Sequence, residues 1–179
     1  MTKFVLREFA DNPNTLHIEL GAGCGNFGQK YHSECFLTEK RSKIEMKQIC
    51  KSYHVNIFSC DAYNIPCNDN RFKKILMCNP YGYGFNDTES GFDLLKEFAR
   101  VLTNKGMVIV LSTHTNSYAM PKRVLRRIDE FNAVSSTVKF NCQIHNIDCN
   151  LSYPTYKFFH VNGTSETSPT NQILLTCSK

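Results

Sequence analysis

The feature that most constrains this chain is a glycine-rich segment at residues 18–28, which directly follows an apolar stretch. It reads Ile-Glu-Leu-Gly-Ala-Gly-Cys-Gly-Asn-Phe-Gly. Glycines let a backbone turn tightly and approach a ligand that a Cβ atom would block. The helix that follows points its unpaired N–H groups at the same place. The segment therefore predicts a strand, a binding loop for a nucleotide-type cofactor and a helix, in that order.

Apolar runs and helical patterns alternate along most of the chain, which predicts a mostly parallel sheet with helices on both faces. Predicted strands cover residues 16–20, 35–38, 55–60, 74–78, 107–111, 137–147 and 172–177, with 156–161 as a further candidate. Predicted helices cover residues 26–32, 43–53, 90–102 and 121–131. Residues 104–106 are a helix stop signal, and residues 162–171 are a polar loop.

Length and composition predict one globular domain that spans residues 1–179, since 179 residues with 41% hydrophobic content can bury a core. There is no apolar run long enough for a membrane span, and charged residues interrupt the apolar N-terminus, so we expect neither a membrane anchor nor a secretory signal. The nine cysteines include no Cys-x-x-Cys pair. This pattern predicts free thiols in a reducing, cytoplasmic compartment and no metal site.

Three acidic residues fall at the ends of the first three predicted strands: Glu19, Glu39 and Asp61. In an open parallel sheet, ligands bind outside the carboxyl ends of the strands, so these carboxylates should surround one crevice. A carboxylate after the second strand can accept both hydroxyls of a ribose, and one after the third can accept an adenine amine. Taken singly, each is more often a solvated turn residue. Residues 23–28 also fit the Gly-x-Gly-x-x-Gly dinucleotide fingerprint, which leaves NAD open as a cofactor.

Together these residues resemble a class I S-adenosylmethionine-dependent methyltransferase. Residues 19–25 match the first motif of that family, Glu39 matches its ribose-binding acid, and Asp61 with Ala62 matches its turn near the adenine. The resemblance implies a three-layer α/β sandwich whose seven-stranded sheet has an antiparallel last strand at residues 172–177. It implies S-adenosyl-L-methionine as the cofactor. The cofactor-binding residues that it implies are Glu19, Gly21, Ala22, Gly23, Gly25, Asn26, Glu39, Lys40, Asp61, Ala62 and Asn79.

The fourth strand ends in Asn79-Pro80-Tyr81, which is similar to the Asn/Asp-Pro-Pro-Tyr/Phe motif of amino-methylating members of that family. In those members the polar side chain and a backbone carbonyl accept hydrogen bonds from the target –NH2, and the aromatic ring stacks on a planar target. This chain lacks the second proline. The resemblance implies that Asn79, Pro80 and Tyr81 act on the target; a structural Asn-Pro turn is the alternative.

The methyl acceptor is open among nucleic acid, protein and small molecules. In the basic run at residues 122–127, Arg123 and Arg127 share one face of a predicted helix, and Lys122 and Arg126 share another. With Val124, Leu125 and Ile128 facing inward, this run could contact phosphates, although a solvated helix face is the more common meaning. The aromatic residues between 153 and 160 could bind substrate, form a lid or pack in the core. Two rival functions stay open: a binding protein on the same scaffold with weak or no catalysis, and an NAD-dependent oxidoreductase, which lacks support from any Tyr-x-x-x-Lys pattern.

Overall fold

The computed structural model describes residues 16–23, 27–32, 35–41, 45, 57–153, 156–159 and 166–179. The strands within these residues are β1 (His17–Leu20), β2 (Cys35–Glu39), β3 (Ile57–Ser59), β4 (Phe72–Cys78), β5 (Leu102–Ser112), β6 (Lys139–Asn146), β7 (Phe158–Phe159), β8 (Glu166–Thr167) and β9 (Asn171–Ser178). The helices are α1 (Phe27–Tyr31), α2 (Thr88–Val101), α3 (Pro121–Val134) and α4 (Cys149–Ser152).

Seven of the strands form one sheet in the order β3-β2-β1-β4-β5-β9-β6. The five strands from β3 to β5 run parallel to one another, and β9 pairs antiparallel with both β5 and β6. The central strands β4 and β5 contain continuous apolar runs, at residues 75–78 and 107–111, as expected for a parallel sheet that is covered on both faces. This topology confirms the predicted fold class and the prediction that residues 172–177 form the antiparallel strand.

The sheet separates two hydrophobic clusters because successive side chains of a strand point to opposite faces. In β4, Ile75 and Met77 join the larger cluster, which includes the apolar sides of α2 and α3. Leu76 points to the other face and joins a smaller cluster that includes Phe27 of α1. Helices therefore cover both faces of the sheet, and the molecule has the predicted three layers.

Most of the predicted elements within the described residues are present, but β5 begins earlier than predicted. Its register moves from the pair Phe72–Leu102 to the pair Lys74–Met107, so residues 103–106 bulge out of the ladder. Lys105 has a φ of 62° in this bulge. The predicted stop signal is therefore a bulge after α2, and regular pairing begins at Met107. The predicted helix at 43–53 lies outside the described residues except for Glu45, which is helical.

One part of the interpretation of α3 as a phosphate-contacting strip is wrong, because Arg127 does not face solvent. Lys122 and Arg126 are exposed, and a phosphate contact through them stays a prediction. Arg127 is only 3% exposed, and its guanidinium donates to the Asp87 carbonyl at 3.0 Å and to the Glu130 carboxylate at 2.7 Å. Leu125, which was expected to face inward, is 39% exposed. Val124 and Ile128 are buried, as expected. Arg127 joins them on the inward face because its aliphatic stem and its charge are accommodated against the start of α2.

The aromatic residues that follow β6 pack in the core. Phe27 of α1 contacts Tyr153 and Tyr156 with ring centroids 5.0 and 4.8 Å apart, and Phe158 is buried. Of the three interpretations, core packing fits this arrangement. The predicted polar loop at 162–171 contains β8, which pairs with β7, and its last residue begins β9. No helix within the described residues is long and apolar enough to span a membrane.

Candidate functional site

The loops that leave the parallel strands meet along one edge of the sheet, at the carboxyl ends of β1 to β5. The amide of Ala22 donates to the carbonyl of Thr38 at 2.8 Å, which fixes the glycine loop against β2. The amide of Asn79 donates to the carbonyl of Leu111 at 2.7 Å, which fixes the end of β4 against β5. Ligands of open α/β sheets bind at this edge.

The glycine loop leaves an open space at Gly23. Gly21 and Gly23 have φ values of 61° and 56°, a left-handed conformation that favours glycine. Among the described residues, the nearest neighbour of a Cβ atom built on Gly23 would be the Gly21 carbonyl oxygen, at 4.0 Å. The described part of the chain therefore leaves the backbone at Gly23 open to a ligand. Two further predicted cofactor residues, Gly25 and Asn26, lie outside the described residues.

Glu19 is fully buried on the α1 side of the sheet, and it holds the helix rather than facing the crevice. Its Oε2 accepts a hydrogen bond of 2.7 Å from the amide of Gly28 in α1. Burial raises the pKa of Glu19 from 4.5 to about 7, although the hydrogen bonds from the Gly28 amide and the Cys78 thiol oppose the increase. Gly28 is required here, since a Cβ atom would lie 2.4 Å from the Cys35 sulfur and 2.9 Å from Glu19 Oε2.

The carboxylate of Glu39, at the end of β2, organises the loops on either side of it. Its Oε2 accepts from the amide of Gly23 at 3.1 Å, and its Oε1 accepts from the amides of Lys40 and Arg41 at 3.0 and 3.3 Å. Each carboxylate oxygen has about two acceptor positions, so Oε2 of Glu39 keeps capacity for one further hydrogen bond. Glu39 is partly exposed and lies beside the glycine loop, and its role as a ribose-binding acid stays a prediction.

Asp61 follows β3 on the neighbouring strand and pairs with Lys40. Its Oδ1 accepts from the amide of Tyr63 at 3.1 Å, and its Oδ2 lies 3.0 Å from Lys40 Nζ. The two side chains are 39% and 73% exposed, so the ion pair is weak and can open. Ala62, by contrast, is buried in the core. Lys40 thus lies beside the predicted adenine acceptor and contacts its carboxylate directly.

A partly buried ion pair that the sequence reasoning missed holds the loop containing Asp61. Glu97 of α2 accepts from the amide of Ile65 at 2.5 Å and from Arg100 at 2.7 Å. Arg100 also donates to the carbonyls of Ile65 and Cys67 at 2.6 and 2.8 Å. The spacing of Glu97 and Arg100 on one helix face was the available signal. Their contacts with residues 65–67 depend on tertiary structure.

At the end of β4, two acceptor atoms converge on a single amide nitrogen. Asn79 has a φ of 49°, which turns the chain away from the strand. Its Oδ1 accepts from Asn116 Nδ2 at 2.7 Å, and the carbonyl of the buried Pro80 accepts from the same nitrogen at 3.0 Å. Asn116, in the loop after β5, was not among the predicted site residues. No local sequence signal identifies it, because it meets Asn79 only when β4 and β5 pair.

The ring of Tyr81 stands beside these acceptors and is 72% exposed. It contacts the ring of Tyr118, at 5.5 Å between centroids. The two loops are joined next to this pair, where the amide of Phe85 donates to the Tyr118 carbonyl at 2.7 Å. Gly84, with a φ of 136°, permits this approach, since a Cβ atom there would lie 2.5 Å from the same oxygen.

Tyr83 links the loop after β4 to the glycine loop and was also missed as a site residue. Its hydroxyl donates to the Leu20 carbonyl at 2.5 Å. A Cβ atom on Gly21 would lie 2.6 Å from that hydroxyl oxygen, so the ring lies directly against the Gly21 backbone. Burial raises the pKa of Tyr83 well above 10, and the phenol therefore stays a donor.

The structure thus brings most of the described candidates to one edge of the sheet: Gly21, Gly23, Glu39, Lys40, Asp61, Asn79, Pro80 and Tyr81. Glu19, Ala22 and Ala62 support this edge from within the core. His114 is exposed and bonds to Thr170 through its amide at 3.0 Å. Within the described part of the chain, no three His, Cys, Asp or Glu side chains are grouped for a metal ion.

No protein-family model and no curated protein matches the sequence. Solved structures do match. The structure of the 16S rRNA (adenine(1408)-N(1))-methyltransferase from Catenulisporales acidiphilia is 10% identical, with 99% of this chain and 94% of that chain covered and a TM-score of 0.58. An S-adenosylmethionine-dependent methyltransferase from Aquifex aeolicus is 12% identical, with coverages of 99% and 89% and a TM-score of 0.55.

A possible histamine N-methyltransferase from Thermotoga maritima is 16% identical, with 99% of this chain and 88% of that chain covered and a TM-score of 0.52. All three of these proteins are described as methyltransferases, and their shared feature with this chain is the arrangement of the sheet and its helices. The chain therefore has the fold of the class I S-adenosylmethionine-dependent methyltransferases.

Proposed function

We propose that this chain transfers the methyl group of S-adenosyl-L-methionine to the nitrogen of a planar –NH2 group, such as the exocyclic amine of a nucleobase. One observation carries the choice of nitrogen: Asn79 Oδ1 and the Pro80 carbonyl lie 2.7 and 3.0 Å from one amide nitrogen. Two acceptors that converge on one nitrogen suit a group with two N–H bonds. The fold supports the choice of cofactor.

The residues at the sheet edge fit this cofactor. The open backbone at Gly23 admits a ligand to the glycine loop, and Oε2 of Glu39 beside it would accept a ribose hydroxyl. Asp61, on the next strand, would accept the adenine amine when Lys40 moves aside. When bound, the cofactor supplies a methyl group that its sulfonium has already activated.

The work left to the protein is orientation. Asn79 and Pro80 would accept both N–H bonds of the target, which fixes its plane and directs the nitrogen at the methyl group. The exposed ring of Tyr81 offers a face for a planar target to stack upon. Neither amide oxygen is basic enough to keep the proton that the methylated nitrogen releases, so the proton passes to water at this open edge.

A second candidate is a protein of this fold that binds the cofactor without transferring its methyl group. Two observations favour it: both acceptors are already occupied by Asn116, and Tyr81 stands where the resemblance expects a second proline. Cofactor binding and methyl transfer therefore have to be measured separately.

Calorimetry with S-adenosylmethionine and its demethylated product tests the cofactor site. We expect micromolar binding, weakened about 10- to 100-fold by Glu39→Ala or Asp61→Ala, because each removes charged hydrogen bonds. Asp93→Ala is the matched control, since Asp93 forms an exposed ion pair of 3.2 Å with Lys96 on α2, away from the site. Absence of binding at millimolar ligand would rule out both candidates.

Labelled-methyl transfer tests the activity. The protein and labelled cofactor are incubated with separate extracts of RNA, DNA, protein and small molecules, and the labelled fraction is digested to find the methylated atom. Label on nitrogen in any fraction supports the first candidate. Label on carbon or oxygen contradicts it, and cofactor binding with no label in any fraction favours the second.

A further inference from the structure

The side chain of Asn116 is fixed in one orientation by three hydrogen bonds. Its Nδ2 donates to Asn79 Oδ1 and to the Pro80 carbonyl, and its Oδ1 accepts from the amide of Tyr118 at 2.8 Å. If the side-chain oxygen and nitrogen were exchanged, the oxygen would face two acceptors, Asn79 Oδ1 and the Pro80 carbonyl. The –NH2 group would then face the Tyr118 amide, which is a donor. The network therefore assigns the –NH2 group to the side that faces Asn79 and Pro80.

A carboxamide is planar and carries two N–H bonds on one nitrogen, as does the exocyclic amine of a nucleobase. The group that Asn116 presents to the two acceptors is thus of the same chemical kind as the target proposed above. We infer that Asn116 is the resident occupant of the target-amine subsite, and that a methyl acceptor binds by displacing it. This inference rests on the proposed function and adds to it a residue that sets substrate affinity and specificity.

The structure allows this displacement without unfolding the site. The neighbours of Asn116 in its loop, His114, Thr115 and Ser117, are all exposed. The loop is anchored just beyond them, where Phe85 donates to the Tyr118 carbonyl. A change of the Asn116 rotamer therefore releases both acceptors while the two loops stay joined.

Resident occupancy has two consequences for substrates. The apparent affinity for any acceptor is reduced by the fraction of molecules in which Asn116 has moved. Only a group that satisfies both acceptors can replace the two bonds that Asn116 gives up. A hydroxyl has a single O–H and leaves one acceptor of this part-buried site without a partner from the ligand, which lowers the binding free energy. The arrangement therefore selects –NH2 over –OH.

The test uses the variant Asn116→Ala, which keeps the Cβ atom of Asn116 and removes its carboxamide group. Formamide is a free carboxamide and can replace the group that the variant lacks. Binding is measured by NMR titration of the amide signals of residues 79–85 in wild type and variant. We expect formamide to bind the variant at least about tenfold more tightly than wild type, since two hydrogen bonds become available. N,N-dimethylformamide, which has no N–H, should bind neither. Thr115→Ala, in the same loop, should behave as wild type because Thr115 bonds only to Thr113.

Equal formamide affinity in wild type and Asn116→Ala, or equal binding of the dimethylated analogue, would overturn the inference. If Asn116→Ala fails to fold, Asn116→Ser gives the same comparison. Hydrogen exchange of the side-chain –NH2 in wild type is an independent measurement, and exchange as fast as that of exposed Asn104 would also overturn it.

The experiments distinguish failure of the inference about Asn116 from failure of the proposed function. If formamide binds wild type and variant equally while S-adenosylmethionine still binds, only the inference about Asn116 is wrong. Selective formamide binding in a protein that does not bind the cofactor supports an –NH2 subsite and removes the methyltransferase proposal.

Discussion

The hydroxyl of Tyr83 donates a hydrogen bond of 2.5 Å to the main-chain carbonyl of Leu20. This bond joins the loop after β4 to the end of β1, and it holds the tyrosine ring against Gly21. The proposed cofactor loop and the proposed target loop are therefore not independent. A change at Gly21 reaches the residues that hold the target, and the first prediction follows from this contact.

Gly21→Ala should lower both stability and cofactor affinity. The new Cβ atom would lie 2.6 to 2.9 Å from three atoms of Tyr83, so the ring or the glycine loop has to move. Gly82→Ala is the matched control: Gly82 also has a positive φ, 77°, but its Cβ atom would meet nothing within 4 Å. In both variants an alanine has to adopt a left-handed conformation, which lowers the free energy of unfolding by about 1 kcal/mol. Calorimetric binding and thermal unfolding should show a larger loss of cofactor affinity and stability in Gly21→Ala than in Gly82→Ala. Equal losses in the two variants would contradict the contact between Tyr83 and Gly21.

Glu19 should make stability fall as the pH rises. Its pKa in the folded protein, about 7, lies above the unfolded value of 4.5, so its stabilising contribution is complete below pH 4.5 and is lost as the pH rises through 7. The folded and unfolded pKa values of Glu19 differ by about 2.5 units, which corresponds to a change of about 3 kcal/mol in the free energy of unfolding. Glu19→Gln keeps an acceptor for the Gly28 amide and removes this dependence.

Urea unfolding of wild type and Glu19→Gln between pH 4 and 8 measures this effect as a difference. Burial lowers the pKa of His32 to about 4 and gives stability the opposite slope, but His32 is present in both proteins and cancels. A constant difference across the range would show that Glu19 titrates normally.

Asn79→Ala should abolish methyl transfer and leave cofactor affinity within about threefold of wild type. The change removes one of the two acceptors of the proposed target site, and it leaves Glu39 and Asp61 in place. Alanine at a left-handed position costs about 1 kcal/mol of stability. Asn70→Ala controls for that cost, because Asn70 has a φ of 55° and lies on the surface. Equal loss of binding and transfer in Asn79→Ala would mean that Asn79 is structural.

Glu97→Gln should weaken cofactor binding from a distance. Glu97 fixes Ile65 and Arg100, and through them the loop that carries Asp61. Replacing the buried carboxylate weakens charged hydrogen bonds and should lower the free energy of unfolding by about 2 kcal/mol. Denaturant unfolding and calorimetry measure the two effects, and Asp93→Asn on the same helix should change neither. If Glu97→Gln is destabilised but its cofactor affinity is unchanged, this ion pair does not contribute to cofactor binding.

The sequence was sufficient to predict the sheet because its strands are apolar runs that end at recognisable turns. The predicted strand at 74–78 lies within Phe72–Cys78, and that at 172–177 lies within Asn171–Ser178. The acidic residues after β2 and β3 could be located because parallel strands bring their carboxyl ends to one edge. Their roles toward a cofactor stay predictions.

The missed features depend on contacts between distant segments. Asn116 meets Asn79 only through the pairing of β4 with β5, and Arg127 is buried because Asp87 and Glu130 supply acceptors for its charge. Helical periodicity treats an arginine as exposed, since it carries no information about such partners. Residues 104–106 were predicted as a helix stop signal, because Gly106 is typical of both a helix end and a bulge.

The position of β9 between β5 and β6 imposes an order on folding. When β6 leaves the ribosome, its only partner in the sheet has not yet been made, and β5 has one unpaired edge. Residues 171–178 close both gaps at once with two antiparallel ladders. Synthesis proceeds at roughly 5–20 residues per second, so a nascent chain leaves two strand edges unpaired for a few seconds. The completed sheet is thus a late event, and chaperones have a defined interval in which to protect it.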